Sequence, residues 1–398
     1  MILKPRFTTA TGQLPGDHQF WVDQANKSDL FALKTAQGGK GGPFGAQLWV
    51  VREGSSPVMI GTDDSNAVVI KGIASAHAEA ENLSPENRSR LFSFLEEHRG
   101  QGWKVVQVSS GESCQSCRSK QVLTAQELIQ KELIKPGDFH VVFKATFERT
   151  AADAQFNDLP YDMTYRVINA LGVMDREEGL FGLAQALQDS NEGRDLLTRR
   201  EIVYNPVNKV EAMAVYPAVN DIFSQNQGRP VAVVVSKEGQ IMSSAVDERN
   251  RPASINLPEK SALILALHRA SEQIRKSKVF ESWNLQGATL YTNVRDIGPA
   301  SYGETLWCNL SAIDVVEEYT SAVVEDQAQE LPGTANRDLF KMVAAEYNMP
   351  PSPLIVRHIG NPEEPSQAHA WWRDHRVNTP SHYDGKQAPT QPVLENQG

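Results

Sequence analysis

Apolar and polar residues alternate along the chain in short blocks, and their order predicts a succession of strands and helices. From Asp17 to about Gln37, Phe20, Trp21, Ala25, Phe31 and Leu33 supply apolar positions of a helix, and Gly38-Gly39-Lys40-Gly41-Gly42 breaks it. Ala46 to Val51 and Pro57 to Ile60 read as paired strands joined by Arg52-Glu53-Gly54-Ser55-Ser56. His77 opens a helix, and Ser84-Pro85-Glu86 starts another, with Ser84 as cap and Pro85 in the first turn. Trp103 to Val108 predicts a strand, Gln115 to about Lys131 a helix, and His140 to Ala145 a strand. A hairpin followed by β-α and α-β units indicates a three-layer α/β/α domain over residues 1–160.

Residues 161–226 read as a helical connector. Val167, Ile168, Leu171 and Met174 give one helical spacing, and Leu180, Leu183, Ala184 and Leu187 give another. A second strand-rich segment, 227–345, follows. Its run Val231-Ala232-Val233-Val234-Val235-Ser236-Lys237-Glu238-Gly239 lines up with Ala46 to Gly54, both being apolar strands that end in a basic-Glu-Gly turn. Leu257 then stands in the place of His77, Glu259 in that of Glu79, and Arg295-Asp296-Ile297 in that of Glu112-Ser113-Cys114. This predicts an internal repeat whose second copy binds no metal, with Glu259 only a first-turn acid. From 346 to 398 the chain is rich in proline, glutamine, asparagine and histidine and is expected to be an extended or disordered tail, in which Trp371-Trp372-Arg373 could dock on the protein's own surface or on a partner.

The composition is that of an ordinary globular protein, 40% hydrophobic and 22% charged, and no apolar run approaches the ~20 residues of a membrane span. The first residues, Met1 to Arg6, carry no apolar stretch of signal-peptide length, so a cytoplasmic protein is expected. The net charge of −10 weakens the case for non-specific nucleic-acid binding, which leans on basic side chains, without excluding a local basic groove. Of three cysteines, two lie in one C-x-x-C and the third is Cys308. That spacing belongs to a metal or redox motif rather than a disulfide framework.

His77-Ala78-Glu79 and Cys114-Gln115-Ser116-Cys117 together hold what a water-activating zinc needs: one imidazole, two thiolates, an open fourth position and a carboxylate to carry protons. Cys114 and Cys117 lie about one helical turn apart, and a helix N-terminus favours their thiolates. Arg118 extends the second motif to C-x-x-C-R.

This constellation resembles the zinc-dependent nucleobase and nucleoside deaminases, whose signature is H-x-E followed by P-C-x-x-C. The resemblance covers roughly residues 17–160 and is nearest to guanine deaminases and tRNA adenosine deaminases. Gly42-Pro43-Phe44-Gly45-Ala46 is similar to the entry into their first strand, and Asn66 occupies the place of an asparagine that contacts the base. Val141 to Thr146, Ala151-Ala152 and Phe156-Asn157-Asp158 resemble the guanine deaminase continuation, in which the aspartate helps position the base or move protons. The resemblance implies a cytidine deaminase-like fold, repeated with a degenerate second copy, and a Zn²⁺ held by His77, Cys114 and Cys117. It implies Glu79 as proton shuttle and Asn66, Asp158 and Phe44 as substrate contacts, although Phe44 also suits a core position. The expected substrate is a nucleobase, nucleoside or RNA, with a purine favoured, and the expected assembly is a homodimer or an internal pseudo-dimer. The alternatives are a cytidine or nucleotide deaminase and a non-catalytic, zinc-stabilised binding module. Ser113 departs from the usual proline, the helix after Glu79 is short, and 37 positions separate His77 from Cys114, which suggests an insertion beside the site. Serine at 113 is expected to loosen the turn or to cap the helix that follows.

Overall fold

Two five-stranded mixed sheets, each flanked by helices, organise the chain into a mixed α/β structure. The computed structural model describes residues 14–39, 41–73, 76–145, 149–150, 203–207, 216–249, 258–276, 285, 287–294, 301, 304–305, 308, 310, 312–316, 354–361 and 364–375. Asp158 and the two apolar spacings between 167 and 187 lie outside these residues.

Helix α1 (His18–Gln37) starts where the Asp17 carboxylate accepts the Gln19 amide, and it stops at Gly38. Strands β1 (Gly45–Val51) and β2 (Val58–Ser65) form the hairpin, antiparallel, with a register shift between Ala46 and Leu48. Three short helices follow: α2 (Val68–Lys71), α3 (Ala78–Asn82) and α4 (Pro85–Glu97). Ser84 caps α4 through its hydroxyl, and Pro85 occupies the first turn, as the sequence predicts. Then come β3 (Lys104–Gly111), α5 (Gln115–Gln130) and β4 (Phe139–Ala145).

The alternation of side chains along these strands separates two cores. Leu48, Val50, Val105, Phe139 and Val141 point to one face, where Leu91 and Leu95 of α4 and Val122, Ala125 and Leu128 of α5 cover them. Val51, Val106, Val108 and Val142 point to the other, under Trp21 and Ala25 of α1. Phe20, Trp21 and Trp49 meet edge to face there, at centroid separations of 4.8–6.2 Å.

The fifth strand of this sheet comes from the far end of the chain. Strand β10 (Leu354–His358) runs parallel to β4, pairing Leu354 with Phe139 through His358 with Phe143. Helix α8 (Gln367–His375) follows and packs on α1, burying Ala368, His369 and Trp372. The expected extended or disordered tail is corrected over these residues. Leu354 and Ile359 give the segment enough apolar area to complete the sheet, and Trp372 anchors the helix, so this part of the tail docks on the protein itself.

The second sheet holds β5 (Val203–Val207), β6 (Val231–Val235), β7 (Ile241–Val246), β8 (Thr289–Thr292) and β9 (Ala312–Val316). Helix α6 (Tyr216–Gln225) covers Val231, Val233 and Val235 with Val219 and Phe223. Helix α7 (Ala262–Lys276) packs on β6 and β7 and is preceded by a short 3₁₀ turn, Pro258–Lys260, where the sequence predicts a helix start. The strand orders are β10-β4-β3-β1-β2 and β5-β9-β8-β6-β7. Both sheets have the same succession of two parallel and then two antiparallel pairings. Among the described residues no helix is long and apolar enough to cross a membrane.

Candidate metal centre

The first sheet delivers the two sequence motifs to one point through two helix N-termini. His77 is the N-cap residue of α3 and Cys114 that of α5, both with extended backbone (φ −76°, ψ 156° and φ −66°, ψ 170°). Asn66 sets the first of these starts, because its side-chain oxygen accepts the Ala78 amide at 2.8 Å. The Asn66 side chain is itself enclosed, with Gly41 and Gly42 against it. A Cβ at Gly41 would meet the Asn66 carbonyl oxygen at 1.8 Å, so only glycine fits there.

Cys114 Sγ lies 3.3 Å from His77 Nδ1, Cys117 Sγ lies 3.6 Å from it, and the sulfurs are 3.4 Å apart. Zinc bound at about 2.3 Å to sulfur and about 2.0–2.1 Å to nitrogen would span tetrahedral edges of roughly 3.6–3.8 Å. The triangle is therefore close to the size of one face of such a polyhedron, and all three residues are buried. Their protonation fits the same reading. Burial works against charge at Cys114, but the Cys117 hydrogen bond and His77 outweigh it and hold the Cys114 thiol well below its ordinary range. Burial, then the charge and hydrogen bond of Cys114, push the Cys117 thiol well above that range. One thiolate forms against His77, while a second needs a cation beside it, which a divalent metal supplies.

Glu79 sits in the first turn of α3, buried. Burial first, then the Cys114 charge, raises its carboxyl to about 7, with His77 and Arg118 acting in the opposite sense. A carboxyl that titrates near neutrality suits a proton carrier.

Beneath the site runs a polar chain that accounts for Ser113. Gln121 Nε2 donates to Ser113 Oγ at 2.8 Å and to Gln107 Oε1 at 2.6 Å, and Gln107 Nε2 donates to the Glu79 carbonyl at 3.0 Å. The three side chains are fully buried. Ser113 joins the turn to Gln121 of α5, and Gln121 in turn reaches Gln107 of β3 and, through it, the backbone of Glu79. The strand pattern carries a signal for this, since Gln107 is a long polar residue on the α4–α5 face of β3, next to Val105 and opposite Leu48.

Arg118, also fully buried, donates to Gln121 Oε1 at 3.0 Å, while its Nε and Nη2 have no hydrogen-bond partner among the described residues. Phe44 is buried, its ring 5.1 Å from that of His369 on α8 and close against Gly111. The structure thus brings His77, Glu79, Cys114 and Cys117 together, places Asn66 beside them as the anchor of α3, and sets Phe44 between β3 and the C-terminal helix. From the second half, Glu304 and Glu259 line a cleft beside these elements; the sequence does not single out Glu304 and reads Glu259 only as a first-turn acid, because nothing local marks their approach.

No family model matches the chain, and no curated protein matches it either. Solved structures similar to it include NE0047 in complex with 2,6-diaminopurine, at 21% identity and TM-score 0.23, over 35% of this chain and 70% of that one. A mutant of NE0047 in complex with 8-azaguanine is 19% identical, with TM-score 0.22, over 45% of this chain and 86% of that one. Likeness this shallow leaves the geometry of the site to carry the functional reading.

Proposed function

We propose that the chain is a zinc-dependent hydrolytic deaminase of a nucleobase, with a purine favoured, as a free base or within RNA. The observation that carries this is the convergence of His77, Cys114 and Cys117 at two helix N-termini, with the Glu79 carboxyl buried beside them. Held by those three residues, zinc would supply the Lewis acidity that brings a water's pKa to roughly 7. Glu79 takes a proton from the attacking water and passes it to the ring nitrogen, then carries the next one to the departing amine. The balance is water plus the amine-bearing carbon going to a carbonyl plus ammonia. The Gln107 bond to the Glu79 carbonyl keeps the backbone of the proton carrier in place throughout.

Asn66, Phe44 and Asp158 are the proposed substrate contacts. The net charge of −10 favours a small substrate over a polyanion. The matching strand orders support the second sheet as a degenerate copy of the first, and so an internal pseudo-dimer. Arg118 in C-x-x-C-R keeps a cytidine or nucleotide substrate as the second reading. A purely structural zinc site would have no use for Glu79.

Metal analysis of the purified chain should find about one zinc per chain, lost in Cys114→Ser. Wild type should release ammonia from one member of a panel of bases, nucleosides, nucleotides and RNA. Glu79→Ala should keep its zinc and lose ammonia release by at least about 100-fold. A wild type that binds zinc yet is inert across the panel would favour the binding module instead.

A further inference from the structure

The second half of the chain meets the metal-bearing elements across a cleft of about 190 Å³. On one side stand Ala76, Ala80 and Ser116, the immediate neighbours of His77, Glu79 and Cys117. On the other stand Glu259, His268 and Glu304. Contacts among the described residues bridge the seam. Lys120 Nζ lies 3.6 Å from Glu259 Oε1, and Arg275 Nη1 donates to the Lys71 carbonyl at 2.9 Å.

Lys120 is three residues beyond Cys117 on α5, one turn along the same helix, so whatever holds its ammonium also fixes the roll of the helix that presents both sulfurs. Both Glu259 oxygens are buried and accept no hydrogen bond among the described residues. Burial opposes its charge, but Lys120 and then Arg88 outweigh burial and lower its pKa, so the carboxylate stays ionised. A buried carboxylate without hydrogen bonds is costly unless a cation compensates it, and Lys120 is that cation. Glu304, only 1% exposed, lies 3.2 Å from His268 Nε2 and lines the cleft opposite Ala76 and Ala80. Glu259 occupies the position in the second half that corresponds to Glu79 in the first. The structure thus departs from the expectation that it is only a first-turn acid.

We propose that Glu259 and Glu304 are positioning residues of the metal centre supplied by the second half, Glu259 by holding α5 through Lys120 and Glu304 by walling the cleft beside His77. The inference rests on the zinc reading above, and its test separates the two. The probe is Co²⁺ bound to the full-length chain, followed by its thiolate and ligand-field absorption and by competition with a chromophoric chelator. Outer partners of metal ligands typically shift affinity 10–100-fold. Glu259→Lys and Glu304→Gln should each weaken Co²⁺ binding by about 10-fold and shift the ligand-field bands, with the far-ultraviolet circular dichroism unchanged. Glu259→Gln, which keeps the shape, should weaken it by about 3-fold. Pairing Glu259→Lys with Lys120→Glu should restore the bands and recover the affinity to within about 3-fold of wild type. Wild-type spectra and affinity in Glu259→Gln and Glu304→Gln would overturn the proposal while leaving the zinc reading intact. Failure of the charge swap to restore the bands would overturn the Lys120 tether. A wild type that takes up neither Zn²⁺ nor Co²⁺ would remove both readings.

Discussion

Removing the Asp29 carboxylate should loosen the whole C-terminal docking of the first sheet. Asp29 lies on α1, 2% exposed, and its oxygens hold four partners from distant parts of the chain. Lys144 Nζ of β4 lies at 3.0 Å, the Ser366 hydroxyl donates at 2.5 Å, and the Gln367 and Ala368 amides donate at 3.0 and 3.2 Å. Those amides are the first two of α8, so Asp29 does for this helix from across the fold what a local cap does elsewhere. Ser366 completes the cap by accepting the His369 amide at 3.1 Å. In Asp29→Ala, Lys144 is left buried with only the half-exposed Glu364 at 3.7 Å to answer it. Breaking a buried pair costs about 3–5 kcal/mol, and losing the cap adds about 1 kcal/mol. The partial replacement by Glu364 favours the low end, so about 4 kcal/mol is expected for alanine and about 2 kcal/mol for asparagine. Burial raises the Asp29 carboxyl, but His369, Ser366 and Lys144 together hold it below the usual carboxylate value. With a depressed folded pKa, its stabilisation is present above the unfolded value of 3.8 and is lost as pH falls through the folded one. Urea titrations at pH 7 give the free energies, and amide hydrogen exchange in residues 367–375 shows whether α8 opens first. A loss under about 1 kcal/mol in Asp29→Ala would refute the reasoning.

Two further perturbations address buried polar groups. His140 on β4 is buried, neither ring nitrogen has a hydrogen-bond partner among the described residues, and burial, then Arg357 and Lys104, lower its pKa to about 3. The unfolded chain takes up this proton near pH 6.5 and the fold resists it, so stability falls as pH drops from about 6.5 toward 3, by about 3 kcal/mol at pH 4. His140→Leu should remove that part of the slope, and equal slopes in wild type and variant would contradict the assignment. At the turn before the metal helix, Ser113→Pro restores the residue usual in the resembling family, yet it deprives Gln121 of a buried acceptor. It should cost about 1–3 kcal/mol in urea unfolding, and a gain in stability would show the polar chain to be dispensable.

What could be read from the sequence was what is encoded locally. Periodicity, Ser84-Pro85, the glycine breaks and the spacings within His77-x-Glu79 and Cys114-x-x-Cys117 each act within a few residues, and the first-half elements they mark formed within five residues of the expected ends. What escaped lies in pairings between distant segments. Nothing in Leu354–His358 names Phe139–Phe143 as its neighbour, and nothing in Pro258-Glu259 names Lys120. A composition rich in polar residues and proline read as an unstructured tail because a parallel edge strand needs only a few apolar contacts once the sheet exists. Ser113 shows the same limit in miniature, since its partner Gln121 is one helical turn beyond Cys117, and the bond forms only because Gln107 holds the amide from the sheet.

The edge strands carry this furthest. By chain order, β5 follows β4 and β10 follows β9, so local closure would pair each with its own predecessor. The structure does the reverse: β10 joins β4 in the first sheet and β5 joins β9 in the second. The first sheet is therefore completed by a segment that lies, in sequence, beyond the whole second sheet, whereas the five strands of the second, β5 to β9, follow one another along the chain. An edge strand left unpaired exposes a row of backbone donors and acceptors that would pair with whatever comes next. Cutting the chain between the two sheets would consequently unmake more than a linker. A fragment ending before β5 keeps His77, Glu79, Cys114 and Cys117 but loses β10 and α8, and with them Ser366, Gln367 and Ala368, the C-terminal partners of Asp29, and Glu364 beside Lys144. It also loses Glu259 from the far side of the metal helix. The metal motif comes in two local pieces, His77-Ala78-Glu79 and Cys114-Gln115-Ser116-Cys117, but the sheet that holds them is closed by β10 from the far end of the chain.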